Sequence, residues 1–308
     1  MAPFFRRVLN VSTSLIKKRK FSGTVPPSLT GPPVCALAPP GACQFGPERF
    51  ASAPLLRRHD VSPTSSVYTF GLPDAARGLG LSTCACLLAR AATAAATGAA
   101  EEEVVRPYTP ISTNEQTGTF DLLVKTYPDG KMSGHLRGMA PGDTLGFKHI
   151  APNVKIQAPF PQRDVAMLAG GTGITPMVQA LHAILGDPAA HSRVTLLYGS
   201  RRRSEILGKE LLDAWEASYP DRLRVVHVIS EDDDGEEDGG GAAGYRRGHI
   251  DAGLIREMLP PPGKKGDVVI LICGPPPMYD VLSGPRDEKK VTGVLKDCGY
   301  TDDQVYKF

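Results

Sequence analysis

Patterns that would announce a metalloprotein are missing from this chain. Its cysteines stand at 35, 43, 84, 86, 273 and 298, with no CxxC pair and no histidine at zinc-finger spacing. That excludes the common structural zinc sites, and no cysteine set suits an iron–sulfur cluster. With no pairing pattern, free thiols in a reducing compartment are expected. Nor does any stretch reach the roughly 18 uncharged apolar residues of a membrane span. The nearest candidate, 84–100, is interrupted by Arg90 and is mostly Ala and Thr; it reads as a strand followed by a low-complexity loop. No Ser-His-Asp or paired-carboxylate spacing is present, and the seven histidines are scattered, each best read as structural.

Acidic residues are absent from the first 47 positions, where Arg6, Arg7, Lys17, Lys18, Arg19 and Lys20 lie among Ser, Thr and apolar residues. That is the composition of a mitochondrial presequence, or less readily of a plastid one. Arg19-Lys20-Phe21-Ser22 suits processing after Phe21; the bland alternative is a basic disordered tail. Cleavage would remove six cations and no acid, taking the formal net charge from +2 to −4. The basic balance therefore belongs to the leader, and no nucleic-acid partner is inferred from it. Residues 23–47, rich in Pro, Gly and Ala, read as a linker.

The remaining composition, 41% hydrophobic and 22% charged over 308 residues, is that of an ordinary two-domain globular protein. Residues 48–158 carry short β-like runs (66–72, 81–88 and 120–127) between turn signals such as Pro128-Asp129-Gly130 and Pro141-Gly142-Asp143. An antiparallel β-barrel is expected, with one helical turn near 133–137. From 159 to 308 the pattern alternates: strands at 165–169, 194–198, 223–229 and 268–273, helices at 176–185, 205–217 and 252–258. A parallel sheet in an α/β domain follows. The acidic, Gly-rich run 231–244 reads as a surface insertion.

Arg106-Pro107-Tyr108-Thr109-Pro110-Ile111-Ser112 is stiffened by two prolines. In an extended segment Arg106, Tyr108 and Pro110 share one face, so a forked cation stands beside an aromatic plane. A flavin dinucleotide fits that pairing; taken alone, the segment equally describes a proline-bounded edge strand. Gly170-Gly171-Thr172-Gly173-Ile174-Thr175-Pro176 lies between a strand and a helix. Its glycines permit close backbone approach and its helix start offers N–H groups to a phosphate, with Pro176 suited to the first helical position. Cys273-Gly274-Pro275-Pro276-Pro277-Met278 also follows a strand. There the thiol serves as a compact surface beside a planar ring, or simply as a buried cysteine at a strand end.

Taken in order, with Asp121-Leu-Leu-Val-Lys-Thr-Tyr127, Gly130-Lys131-Met132-Ser133, Gly142-Asp143-Thr144 and a closing aromatic, these segments resemble the ferredoxin-reductase superfamily. Within it they resemble the NADH–cytochrome b5 reductases, from about Ser62 to Phe308. The stretch Phe147-Lys-His-Ile150 with Asn153-Val-Lys-Ile156 is similar to the mitochondrial members. The resemblance implies FAD and NADH as cofactors, hydride transfer from NADH to flavin N5, and single-electron delivery to a haem protein. It places FAD on Arg106, Pro107, Tyr108 and Thr109, with Leu123 and Lys125 along the flavin, Lys125 also meeting the nicotinamide cofactor beside Cys273, and Lys131, Met132 and Ser133 as a second phosphate clamp. Thr175 would close the flavin site from the other domain. Gly171, Thr172, Gly173 and Cys273, Gly274, Pro275, Pro276 and Met278 would hold the nicotinamide nucleotide, and Ser65 is aligned loosely near N5. No side chain is expected to do acid–base chemistry.

Two departures stand out. The stretch 82–86 lacks the Gly-Gln-His frequent in the family. Arg201, Arg202 and Arg203 are unusually basic where NADPH-using relatives bind a 2′-phosphate, whereas Glu231 favours NADH by repelling that phosphate. NADH is the reading carried forward. The expected partner is cytochrome b5 or a similar acidic haem protein, met by Lys125, Lys131, Arg137 and Lys148, with a monomeric enzyme that could also associate with a membrane surface. The alternatives are a related reductase serving a hydroxylase or quinone, and a catalytically idle nucleotide-binding protein.

Overall fold

The computed structural model describes residues 25–93, 102–150, 156, 158–231, 245–263 and 266–308. The basic leader with its expected cut after Phe21, the loop 94–101, residues 153–155 of the mitochondrial-type stretch and the acidic run 232–244 lie outside the described residues.

The first domain contains β1 (Ala51–Ser62), β2 (Ser65–Gly71), β3 (Leu87–Thr93), β4 (Glu102–Tyr108), β5 (Thr119–Lys125), helix α1 (Lys131–Gly138) and β6 (Thr144–His149). The six strands form an antiparallel sheet in the order β4-β3-β6-β1-β2-β5. β1 serves both halves, pairing β6 through Ala51–Pro54 and β2 from Leu55 onward, with register shifts that bend it. Such a bend lets the sheet curl into a barrel. Phe45, Phe70, Phe120 and Phe147 fill the interior, with ring centroids 5.0 to 5.7 Å apart.

Expectation and structure differ at 81–86. β3 begins only at Leu87, so Cys84 and Cys86 share no strand face. Ala85 N–H donates to Ser82 O at 3.0 Å, and Cys84 adopts a left-handed φ of 58°, a conformation sparsely populated by non-glycine residues.

The second domain runs through β7 (Asp164–Gly170), α2 (Ile174–Leu185), β8 (Arg193–Ser200), α3 (Lys209–Ser218), β9 (Leu223–Ile229), β10 (Tyr245–Arg247), α4 (Ala252–Met258), β11 (Val268–Cys273), α5 (Pro276–Leu282), α6 (Gly293–Asp297) and β12 (Val305–Lys307). All neighbouring strands are parallel, in the order β10-β9-β8-β7-β11-β12. β7 and β11 are buried along nearly their whole length, which explains their unbroken apolar sequences. The chain leaves β7 toward β8 and returns to β11 on the opposite side. The switch point of the sheet thus lies between β7 and β11, where α/β domains place ligands.

Two helix starts move from expectation. α2 begins at Ile174 after a 3₁₀ turn at Gly171–Gly173, which makes Pro176 its third residue; no helical hydrogen bond is lost there. α3 begins at Lys209, because Gly208 at φ 68° separates it from the 3₁₀ turn Arg203–Glu205.

Residues 26–46 do not behave as a linker. They form a strap across both domains. Ser28 Oγ donates to Asp121 Oδ2 at 2.8 Å, and Asn114 Nδ2 donates to Ala36 O at 2.9 Å on the barrel side. On the α/β side Trp215 Nε1 donates to Gly31 O at 2.9 Å and Val34 N–H donates to His182 Nδ1 at 3.0 Å. Leu29 enters the core of the second domain and Phe45 that of the first.

Candidate functional site

A cleft of about 1130 Å³ opens between the domains, walled by both of them. That exceeds the range usual for one drug-sized ligand and suits two extended cofactors meeting end to end.

The barrel side begins at β4. Arg106, Pro107, Tyr108 and Thr109 all line the cleft. Strict alternation does not extend to Pro110, because the strand ends at Tyr108 and the chain turns inward, burying Pro110, Ile111 and Ser112. Asp121 fixes that turn. Its backbone N–H donates to Ser112 Oγ and its carbonyl accepts from Ile111 N–H, both at 2.9 Å. Its buried carboxylate accepts from Thr69 Oγ1 at 2.6 Å and from Gln116 Nε2 at 3.2 Å, besides Ser28. Arg106 Nη1 donates to its neighbour's carbonyl, Val105 O, at 2.7 Å and is otherwise exposed. Burial pushes the Tyr108 phenol up, with Arg106 opposing, so the ring stands neutral beside a fixed cation.

Leu123, Lys125, Lys131, Met132 and Ser133 continue the wall. Gly130 caps the start of α1 without a side chain, and no acid lies in the helix's first turn, an arrangement compatible with an anion. The Ser133 hydroxyl is already engaged: it donates to Gly130 O and accepts from Tyr127 N–H, both at 3.2 Å. Ser65, the register partner of Lys125, is buried, its hydroxyl is unpartnered, and it is not on the cleft wall. Its expected place near the reacting flavin atom is therefore not supported by the geometry.

The α/β side presents the turns after β7 and β11, whose ends pair as Cys273 with Ala169. Gly171, Thr172, Gly173, Thr175, Cys273, Gly274, Pro275 and Met278 line the cleft. A Cβ on Gly173 would lie 2.0 Å from Cys273 O, and a Cβ on Gly170 would lie 2.8 Å from the Met278 sulfur. These glycines let the two turns touch. Gly171 has φ +52° and open space around its missing side chain, so bare backbone faces the cleft. Tyr198 holds it by donating to Gly171 O at 3.0 Å. Gly173 caps α2 without a side chain, leaving the helix start to a ligand anion.

Pro276 and Glu231 fall outside the cleft wall. Pro276 opens α5 and Pro277 reaches the cleft in its place. Glu231 is engaged by cations: Arg201 Nη2 and Nε meet Oε1 at 2.7 and 2.8 Å, and Arg202 Nε meets Oε2 at 3.5 Å. The Arg201 guanidinium holds its carboxyl below the usual carboxylate range. The opposing signals for NADH and NADPH read from the sequence are one ion cluster in the structure.

Several wall residues were not expected to bind a cofactor: Ser200 at the end of β8, Tyr127 before the Gly130 turn, and Cys84 and Cys86 on the side where the family's Gly-Gln-His is lacking, while Arg201 of the basic run also lines the cleft. Cys84 Sγ donates to Pro176 O at 3.3 Å across the domain boundary; burial, with Cys273 adding, pushes its thiol up and keeps the donor proton in place. Phe308, noted only as a closing aromatic, also faces the cleft, pinned where Tyr279 Oη donates to Phe308 O at 2.8 Å. Lys125 is committed to Glu205 Oε2 at 2.8 Å from the other domain, so it does not belong to an outward basic face for a partner.

Among the described residues no cluster could hold a metal ion, and no helix is long and apolar enough to cross a membrane. The residues present fit a dinucleotide on each side of the cleft: an arginine–tyrosine pair on the barrel, bare glycine backbone on the α/β domain, and a helix start without a side-chain cap on each.

Comparison with known proteins agrees. Residues 52–156 match the oxidoreductase FAD-binding domain family and residues 167–283 the oxidoreductase NAD-binding domain family. NADH-cytochrome b5 reductase 2 of Scheffersomyces stipitis is 36% identical over 268 residues, 85% of each chain. The protein of the same name from Neosartorya fischeri is 38% identical over 267 residues, 85% of this chain and 79% of that one. Among solved structures, the cytochrome b5 reductase domain of Ulva prolifera nitrate reductase is 30% identical with a TM-score of 0.69, over 78% of this chain and 92% of that one. The CS-b5R domains of human Ncb5or in the NAD+ form are 25% identical with a TM-score of 0.67, over 83% of this chain and 68% of that one. With a barrel for FAD, an α/β domain for NAD and these relatives across most of its length, the chain belongs to the NADH-cytochrome b5 reductase family.

Proposed function

We propose that this protein is an FAD-dependent oxidoreductase that takes electrons from NADH and delivers them singly to cytochrome b5. The observation that carries the reading is the single cleft on which the Arg106–Tyr108 wall of the barrel faces the glycine and Cys273 turns of the α/β domain. FAD supplies, when bound, the conversion of a two-electron hydride donor into two one-electron deliveries.

The residues have a positioning task. Arg106 and the start of α1 neutralise the flavin's phosphates, and Tyr108 lies against its ring system or ribityl chain. Gly171 to Thr175 receive the pyrophosphate of the nicotinamide nucleotide. Cys273 and Phe308 supply compact and flat surfaces that exclude water from between the rings. Arg137 and Lys148 are assigned to an acidic haem partner, with Lys125 and Lys131 drawn from that set into the cleft. The leader before Ser22 carries the enzyme to mitochondria on this reading, and the working form is a monomer.

The test is spectroscopic and kinetic. Purified protein should be yellow, should reduce ferricyanide and cytochrome b5 with NADH, and should use NADPH less well. Colourless protein inert toward both acceptors would leave a nucleotide-binding protein without this chemistry; reduction of ferricyanide alone would point to another acceptor.

A further inference from the structure

Lys125 and Glu205 meet across the cleft at 2.8 Å, with only 18% and 24% of their side chains exposed. Lys125 ends β5 in the barrel, and Glu205 closes the 3₁₀ turn after β8 in the α/β domain; both line the cleft. A carboxylate on the wall of a site built for a pyrophosphate calls for an explanation. Like charges in a shared, poorly hydrated cleft repel, and one ammonium cannot serve two anions at full strength.

A domain clamp is the simple alternative. The seam, however, already carries other ties. Gln179 Nε2 on α2 donates to Pro110 O at 2.7 Å and to Ser112 O at 2.8 Å. Cys84 Sγ donates to Pro176 O, and the strap is bonded to both domains. Domain docking does not require the ion pair, and both its members face the ligand space.

We infer that Glu205 is a tuning residue for the nicotinamide nucleotide: it competes with the nucleotide's pyrophosphate for the Lys125 ammonium, so that the pair opens as nucleotide enters and reforms as it leaves. This rests on the proposed use of the cleft by NADH. The device weakens binding on purpose and favours release of NAD+, and it acts through Lys125 without touching the reacting atoms.

The experiment is calorimetric binding of NAD+, and of adenosine as a phosphate-free probe, to the flavin-loaded enzyme and its variants. Glu205→Gln preserves shape and removes the competing charge. It should bind NAD+ about fivefold more tightly, the size expected for a partly exposed ion pair worth about 1 kcal/mol. Adenosine affinity and flavin content should stay unchanged. In a Lys125→Met background the same substitution should alter NAD+ affinity by less than about twofold, since the contested cation is gone. Weaker or unchanged NAD+ binding in Glu205→Gln overturns the inference, as does loss of flavin or an equal gain for adenosine. Failure of the wild-type enzyme to bind NAD+ would instead sink the proposed function itself.

Discussion

Replacing Gln179 by Leu should loosen the flavin wall from a distance. Gln179 stands on α2, the helix whose start forms the glycine turn, and its amide reaches the carbonyls on either side of Ile111 in the turn after Tyr108. One side chain therefore couples the segment expected to clamp FAD to the helix expected to receive NADH. Leucine keeps most of the volume and removes both donors, leaving two carbonyls at a partly buried site. At about 0.5–1.5 kcal/mol per net hydrogen bond, the loss is about 2 kcal/mol. For a chain of this size that corresponds to a fall in melting temperature of about 3 °C. The assay is thermal release of flavin fluorescence alongside calorimetric unfolding of the same sample. Release should move at least as far as unfolding, because the bonds end on the flavin wall itself. Gln179→Glu should be worse at neutral pH, where a carboxylate would face two carbonyl oxygens, and should improve on acidification. A release temperature for Gln179→Leu within about 1 °C of wild type would refute the coupling.

Other substitutions probe separate links. Arg106→Ala should lower FAD affinity by roughly 10- to 100-fold, the worth of a charge-assisted contact of about 1.5–3 kcal/mol; unchanged flavin content per protein by absorbance would remove its clamp role. Gly173→Ala has an acceptable φ of −62°, so only the 2.0 Å approach to Cys273 O is at stake. The turns must part, and the KM for NADH should rise at least tenfold, a loss of about 1.4 kcal/mol, with flavin content retained. His182 accepts from Val34 N–H while buried, and burial lowers its pKa from 6.5 to about 4. The unfolded chain therefore takes up the proton first. The contribution is intact above pH 6.5, is lost progressively down to about pH 4, and amounts to about 3 kcal/mol. Melting temperatures measured across that window should fall more steeply for wild type than for His182→Gln, and parallel curves would contradict the assignment.

The α/β half was legible because parallel strands buried on both faces write themselves as apolar runs. The expected 223–229, 268–273 and 252–258 coincide with β9, β11 and α4. β1 was not: its bulge breaks the alternation, and Arg57, Arg58 and His59 interrupt its apolar residues. The stretch 81–86 is apolar enough to read as strand, yet the positive φ at Cys84 turns it. Chain-local reading found most of the cleft wall through glycine, proline and the Arg–Tyr pair. It missed Glu205 as Lys125's partner, because nothing local relates residues 80 positions apart. It misplaced Glu231 for a similar reason: an acid and an arginine run were weighed separately although they neutralise one another across β8 and β9.

The strap changes what counts as the working unit of this protein. The FAD-binding family match opens at residue 52 and the NAD-binding match closes at 283. A fragment cut to those limits would discard Ser28, Gly31, Val34 and Phe45 at one end and β12 with Phe308 at the other. It would expose the Phe70–Phe120–Phe147 cluster where Phe45 now packs, leave Trp215 Nε1 and His182 Nδ1 without their backbone partners, and open the cleft beside Cys273. Family boundaries mark where sequences stay alike; here the cooperative unit is longer at both ends. An expressed fragment should start ahead of Pro26 and extend through Phe308, whose aromatic side chain lines the cleft.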